Sequence, residues 1–245
     1  KRWGLDPELI DGTFARLLRR TRNLGGTGVI SHEIFGGATV EQIRSIGERL
    51  EGFEVHVVVT ARDLGRTLTA EWQEQVKNSS TESLAAYAGM VPGKLPHDPA
   101  PAASLELFWR SQNLGALLDR WSTLVPPERM HIVVCPRSAT DPATLWNRFA
   151  AAIDLPPDVV DLGVVPVRNE SLGTAQIAFL RQVTVALDGR LVQPWHSLVA
   201  KRWFAQSLLS TARSGKPVTP VAEAERLAGV ARAWNARLEG GGYRL

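Results

Sequence analysis

The stretch Glu54-Val-His-Val-Val-Val-Thr-Ala-Arg-Asp63 decides the fold. Residues 55–60 are β-branched nearly throughout, which is typical of a central strand in a parallel sheet whose two faces are both covered. The chain then passes into a predicted amphipathic helix over residues 66–77. A buried strand followed by such a helix is the building unit of an α/β fold.

The alternation of strands and helices continues on both sides of this stretch. Two further strands are predicted, a short buried one at residues 29–31 that ends at His32-Glu33 and a longer one at residues 131–135. Further helices are predicted at residues 6–22, 40–50, 104–121, 143–153, 174–187, about 198–209 and 222–238. This order predicts a parallel sheet with crossover helices in one domain, with an α/β core over residues 1–172 and a helical extension over residues 173–245.

Composition narrows the class of protein. The single cysteine, Cys135, excludes an intrachain disulfide and a cysteine-based zinc cluster, and it fits a reducing cytoplasm. No uninterrupted apolar run approaches the roughly 18 residues of a membrane span, and no segment near Lys1 resembles a signal peptide. The net charge of +3 is too mild to indicate a nucleic-acid partner, but it suits an enzyme that handles anionic substrates.

Polar residues follow the strand of residues 55–60. Ligands of open α/β sheets bind outside the carboxyl ends of the strands, and Arg62 stands at such an end. The guanidinium of Arg62, the N–H groups at the start of the next helix and the hydroxyl of Thr67 or Thr69 together predict an anion site. The alternative is that Arg62 forms an ion pair with Asp63 or another neighbouring carboxylate, and that Thr67 only caps the helix.

Two more polar segments are candidates for function. Ser31-His32-Glu33 follows the first predicted strand, so it too is expected at the carboxyl edge of the sheet. Arg168-Asn-Glu-Ser171 precedes a predicted helix, and Ser171 or Asn169 is able to cap that helix. This second segment has two possible roles. It is either a helix cap with a solvated Arg168 or a ligand-binding loop.

The order of these motifs resembles the PAPS-dependent sulfotransferases, where PAPS is 3′-phosphoadenosine 5′-phosphosulfate, and in particular a branch of bacterial sulfotransferase-like proteins. In that family an Arg at a strand end and a Ser two helical turns later bind the 3′-phosphate. Arg62 matches the Arg, whereas Ala70 occupies the usual Ser position and the hydroxyl falls one residue early, at Thr69. The other matching segments are Ile30-Ser-His-Glu33, Trp72-Gln73 with Lys77, Phe108-Trp109, Arg120-Trp121 and Arg168-Asn-Glu-Ser-Leu-Gly173.

The resemblance covers residues from about Trp3 to Leu187, and it implies a P-loop-NTPase-like sulfotransferase fold. It also implies PAPS as co-substrate without a metal, and a small-molecule, carbohydrate or lipid acceptor. Arg168 and Ser171 would then belong to a return loop that closes over the nucleotide. Sulfuryl transfer needs a base for the acceptor hydroxyl, and His32 and Glu33 are the candidates, with Glu33 favoured. The alternative is a hydrogen-bonded core role for His32 and a helix-cap role for Glu33.

The loop that would hold the 5′-phosphosulfate does not occur in this sequence. Gly25-Gly-Thr-Gly28 precedes a predicted strand and has no lysine, and Ser214-Gly-Lys-Pro217 follows a helix. We expect the strand-loop-helix unit that carries this loop upstream of Lys1. The main alternative function is a catalytically silent, sulfotransferase-like protein that binds a nucleotide or serves as a scaffold. A P-loop kinase ranks last, because no Walker-type loop or magnesium carboxylate is visible.

Overall fold

The computed structural model describes residues 12–91, 103–137, 142–164 and 171–245. It shows a mixed α/β chain that is mostly helical and contains one small parallel sheet. The helices are α1 (Thr13–Leu24), α2 (Val40–Arg49), α3 (Leu64–Lys77), α4 (Leu84–Met90), α5 (Ala103–Gln112), α6 (Leu114–Trp121), α7 (Pro142–Ala152), α8 (Thr174–Leu187), a π-helix (His196–Leu208) and α9 (Val221–Gly240). The α/β class is confirmed. In the described ranges after Leu172 the regular elements are helices, apart from a β-bridge at Arg244.

The sheet consists of β1 (Val57–Ala61) and β2 (Met130–Val134). The two strands run parallel with Val57 opposite Met130 and Ala61 opposite Val134, and the Cys135 N–H extends the ladder by donating to the Ala61 carbonyl at 2.8 Å. The C-terminal segment closes the other edge of β2. There Arg244 donates to the Met130 carbonyl at 3.0 Å, and its own carbonyl accepts from the Ile132 N–H at 2.7 Å.

The expectation that the valine-rich strand is central and covered on both faces is wrong. The parallel register directs the backbone groups of Val58 and Thr60 away from β2, and in the described ranges no other strand pairs with that edge. Thr60 is exposed, and the valines of β1 are only half-buried. A β-branched run records a preference for extended backbone, but it does not determine how many neighbours the strand will find.

The expected strand at residues 29–31 is also wrong. Val29 and Ile30 are exposed and have no regular structure, and a 3-10 helix, Glu33–Gly37, follows directly. Two β-branched residues are a short signal, and a strand gains stability only from a partner, which this segment lacks among the described residues. Ser31, His32 and Glu33 therefore do not end a strand.

Side-chain caps explain the main differences in helix boundaries. Helix α3 begins two residues before the predicted start, because the Asp63 carboxylate accepts from the Arg66 N–H at 2.9 Å. The single helix predicted at residues 104–121 is two helices, since the side chain of Asn113 accepts from the Ala116 N–H at 3.1 Å and starts α6. The start predicted at Asp6-Pro7 lies outside the described residues.

Two apolar clusters hold these elements together. The first packs around α3 and includes Leu68, Trp72 and Phe108, all buried. The second packs behind one face of the sheet, where Val57, Val59 and Ala61 contact a buried set that includes Ile43, Leu118, Met130 and Ile132. Within the described ranges, no helix combines the length and the apolar character needed to cross a bilayer.

A chain of hydrogen bonds lies on the opposite face of the sheet. His131, only 6% exposed, bonds through Nε2 to His56 Nδ1 at 2.9 Å, and His56 Nε2 bonds to Glu54 Oε1 at 3.0 Å. Burial, followed by the charges of His56 and Arg244, lowers the pKa of His131. The bond between the two rings requires one nitrogen to accept, so protonation of both rings would break it.

We therefore predict that the chain loses stability as the pH falls below about 6.5, the ordinary pKa of an unfolded histidine. The sign follows because the folded pKa of His131 lies below that value, so the unfolded chain binds more protons and acid favours unfolding. Urea denaturation of wild type and His131→Gln at a series of pH values measures this, and the variant should show the flatter dependence between about pH 7 and 5. Parallel curves for the two proteins would contradict the assignment to His131.

Candidate functional site

The carboxyl ends of β1 and β2 meet at one edge of the sheet. Arg62 and Asp63 follow β1 and lead into α3, while Pro136 and Arg137 follow β2. The guanidinium of Arg66, in the first turn of α3, donates from Nη1 to the Pro136 carbonyl at 2.9 Å. This bond fixes the start of α3 against the segment after β2, so both strand ends contribute to one surface.

Arg62 is exposed at this edge. In the described part of the chain its guanidinium has no hydrogen bond and no ion pair, so the alternative of a pair with Asp63 is not formed. Partial burial and the neighbouring charge of Arg66 lower the pKa of Arg62, and the attraction of Asp63 does not offset them. Arg62 and Arg66 thus lie close together, and neither guanidinium forms an ion pair in the described part of the chain, which favours an anion as a partner.

Other groups at the same edge add to the positive potential. The Arg148 guanidinium of α7 donates to the Val134 carbonyl, at the end of β2, and the side chain of Arg137 is exposed. At the start of α3, the N–H groups of Leu64 and Gly65 have no partner among the described residues. Free N–H groups at a helix start next to arginines are the usual components of a phosphate or sulfate site.

The two threonines predicted to assist Arg62 have different environments. The Thr67 hydroxyl is half-buried and donates to the Asp63 carbonyl at 3.0 Å, within the first turn of α3. Thr69 is only 8% exposed, and its hydroxyl is hydrogen bonded to that of Thr219 at 2.7 Å. Thr219 in turn donates to the Gly65 carbonyl at 2.6 Å. Thr69 is therefore committed to packing the loop before α9 onto α3, and we leave it out of the anion site.

The segment that begins at Ser171 is held against α3. The buried amide side chain of Gln73 bonds to both backbone groups of Leu172, accepting from its N–H at 3.0 Å and donating to its carbonyl at 3.2 Å. The Lys216 ammonium donates to the Ser171 carbonyl, and the Ser171 side chain is exposed. Arg168 lies outside the described residues. The end of the predicted return loop thus reaches the helix that Arg62 precedes.

His32 and Glu33 are both exposed at the start of the 3-10 helix Glu33–Gly37. His32 Nδ1 accepts from the Ile34 N–H at 3.2 Å, so His32, and not Glu33, supplies the cap, and a core role for His32 is wrong. His32 Nδ1 lies 3.8 Å from the nearer oxygen of Glu33. Because this segment is not a strand, His32 and Glu33 are not held on opposite faces of a sheet.

The side chains of Arg120 and Phe35 fix the position of the 3-10 helix Glu33–Gly37. Arg120 donates to the carbonyls of Gly36 at 2.8 Å and Ala38 at 2.9 Å. Phe35 packs against the same apolar cluster as Ala61, the last residue of β1. The Arg120-Trp121 motif therefore serves as support, and it ties the His32-Glu33 segment to the cluster behind the sheet.

Sequence reasoning missed the part played by Arg66. The signal was present, because Arg66 lies four residues after Arg62 and the start of a helix brings such residues close together. The hydrogen bond of Arg66 to Pro136 could not be predicted from the sequence, because it depends on which strand pairs with β1 and on the loop that follows that strand. Gln73 was quoted only as part of a motif, and its pairing with Leu172 spans 99 positions of sequence.

A cavity of about 360 Å³ opens at the far end of α3, and Ser79 and His196 are among its lining residues. The Ser79 hydroxyl bonds to His196 Nε2 at 2.7 Å. Fourteen residues of helix, or about 21 Å, separate this cavity from Arg62, so the two are distinct. In the described part of the chain no group of three or more His, Cys, Asp or Glu residues could hold a metal ion.

The two threonines give a matched test. We predict that Thr69→Val destabilises the chain by about 1 to 3 kcal/mol, because a buried hydroxyl network loses a partner, and that it leaves anion binding unchanged. Thr67→Val, on the same helix, should cost less than about 1 kcal/mol because that position is half-buried. Urea denaturation and titration with inorganic sulfate measure both effects. If Thr69→Val has normal stability but binds sulfate poorly, Thr69 belongs to the anion site after all.

Comparisons of the chain with protein-family models, with curated proteins and with solved structures gave no significant match.

Proposed function

We propose that this protein transfers a sulfuryl group from PAPS to a hydroxyl or amine of an acceptor molecule. The observation that carries the proposal is Arg62, which stands at the carboxyl end of a parallel strand beside Arg66 with no carboxylate bound to it in the described ranges. The order of motifs that resembles the PAPS-dependent sulfotransferases supports the same substrate.

The 3′-phosphate of the nucleotide is the group that this edge fits best. A phosphate dianion accepts several hydrogen bonds at once, and an arginine offers donors in a planar fork. Arg62 would supply that fork, and the free N–H groups of Leu64 and Gly65 would add backbone donors. The Asp63 carboxylate, the N-cap of α3, keeps its negative charge beside this position, so the guanidinium groups of Arg62 and Arg66 have to outweigh it.

Sulfuryl transfer forms a bond between the acceptor oxygen and sulfur, and breaks the bond between sulfur and the bridging oxygen of the donor. Adenosine 3′,5′-bisphosphate leaves, and the acceptor proton passes to a base. Glu33 and His32 remain the proposed bases. Glu33 has the freer side chain, since His32 Nδ1 already accepts from the Ile34 N–H.

One set of observations favours the alternative, a nucleotide-binding protein without catalytic activity. The Thr69 hydroxyl is locked to Thr219, and His32 and Glu33 are exposed on a 3-10 helix instead of ending a strand. Both proposals share the anion site at Arg62, and they differ in whether sulfate leaves the nucleotide. Binding and activity must therefore be measured separately.

For binding, we predict that adenosine 3′,5′-bisphosphate associates with the full-length protein and that Arg62→Ala weakens it by about 2 to 4 kcal/mol, which is about thirtyfold or more in Kd. Arg62→Lys should recover only part of the loss, because an ammonium lacks the planar fork. Isothermal titration calorimetry measures these changes.

The matched control is Arg232→Ala, which removes the same charge from an exposed position of α9. It should bind like wild type. An equal loss of nucleotide affinity in Arg62→Ala and Arg232→Ala would show that the effect comes from net charge alone. If wild type does not bind the nucleotide, both the sulfotransferase and the silent nucleotide-binding protein are ruled out.

For activity, we predict that Glu33→Gln lowers transfer from radiolabelled PAPS to a panel of alcohols, phenols, sugars and amines by about a hundredfold or more, the usual contribution of a general base. Nucleotide affinity should stay unchanged. If His32→Gln has that effect and Glu33→Gln does not, the base is His32. Normal nucleotide binding with no transfer by wild type would favour the silent alternative.

A further inference from the structure

The π-helix His196–Leu208 has an unusual distribution of side chains. Its buried positions are His196, Ala200 and Ala205, which are polar or small. Its outward positions include two tryptophans, Trp195 at the entry to the helix and Trp203 within it, which are 59% and 60% exposed. A surface helix normally buries its large apolar side chains, whereas this helix exposes two tryptophan side chains and buries polar or small ones.

The exposed apolar surface extends beyond the π-helix. Phe179 of α8 is 54% exposed, and its ring lies 6.0 Å from that of Phe204, which in turn lies 6.3 Å from the ring of Trp203. Leu198 and Val199 are exposed between the two tryptophans. We refer to Phe179, Trp195, Leu198, Val199 and Trp203 as the outer patch. A clustered apolar surface that contains two tryptophans indicates a contact with something outside the chain.

The segment of the chain that carries most of the outer patch is basic. Residues 189–220 contain five Lys or Arg residues and no Asp or Glu; they are Arg190, Lys201, Arg202, Arg213 and Lys216. Lys201 turns inward to the Glu74 carboxylate, whereas Arg202 is exposed next to Trp203. The exposed Arg202 beside an apolar surface favours a partner that is apolar in part and negatively charged at its rim.

We infer that the outer patch is a binding surface for an anionic lipid bilayer, on which the π-helix lies in the interfacial plane. Tryptophan rings favour the boundary between head groups and acyl chains, and arginines favour anionic head groups. A second copy of the chain fits less well, since it would bring two positively charged segments together. This inference does not depend on the proposed sulfuryl transfer.

The test is co-sedimentation of the full chain with vesicles of equimolar phosphatidylcholine and phosphatidylglycerol, compared with vesicles of pure phosphatidylcholine. Wild type should sediment with the anionic vesicles, with a partition coefficient about tenfold higher than for the neutral ones, and added salt should weaken binding. Replacing Trp195 and Trp203 together by serine should reduce the partition coefficient about tenfold or more.

The matched control replaces two other exposed apolar residues, Val159 and Val164, by serine, and it should bind within about twofold of wild type. Arg202→Glu is the second variant, and it should reduce binding to anionic vesicles only. The inference is overturned if wild type does not sediment with anionic vesicles, or if the double tryptophan variant binds as well as wild type. It is also overturned if that variant converts a dimer into a monomer in sedimentation velocity without a change in vesicle binding, because the patch would then join two copies.

Discussion

Five residue pairs, from Val57 opposite Met130 to Ala61 opposite Val134, align two strands in parallel and place their carboxyl ends side by side. Parallel pairing forces this arrangement, because it gives both strands the same direction. The Arg66 bond to the Pro136 carbonyl then joins the segments that leave the two strands. Without this pairing, Arg62 would not share an edge with the end of β2, and the positive surface would not form.

The helices around the sheet act as its support. α3 carries one apolar cluster on its buried face, and Gln73 on the same helix holds the backbone of Leu172. Thr69 and Thr219 attach the loop that precedes α9. The C-terminal residues return to β2 through Arg244. The candidate anion site thus lies at the junction of β1 and α3, while the candidate bases lie at the start of a 3-10 helix whose carbonyls accept from Arg120.

Much of the local structure could be predicted from the sequence, because local periodicity and caps determine it. The segment from β1 into α3 with Arg62 at the junction is the best example. The roles that failed depend on distant partners. The burial of Thr69 requires Thr219, which is 150 positions away, and the pairing of residues 29–31 required a neighbouring strand that the described chain does not provide. Side-chain periodicity carries no information about such partners.

A crystal structure of the complex with adenosine 3′,5′-bisphosphate tests the central claim most directly, because it shows which groups hold the anion. The account predicts the 3′-phosphate within hydrogen-bonding distance of the Arg62 guanidinium and the first N–H groups of α3. A nucleotide bound elsewhere, with Arg62 still turned to solvent or paired with a carboxylate of the chain, would contradict it.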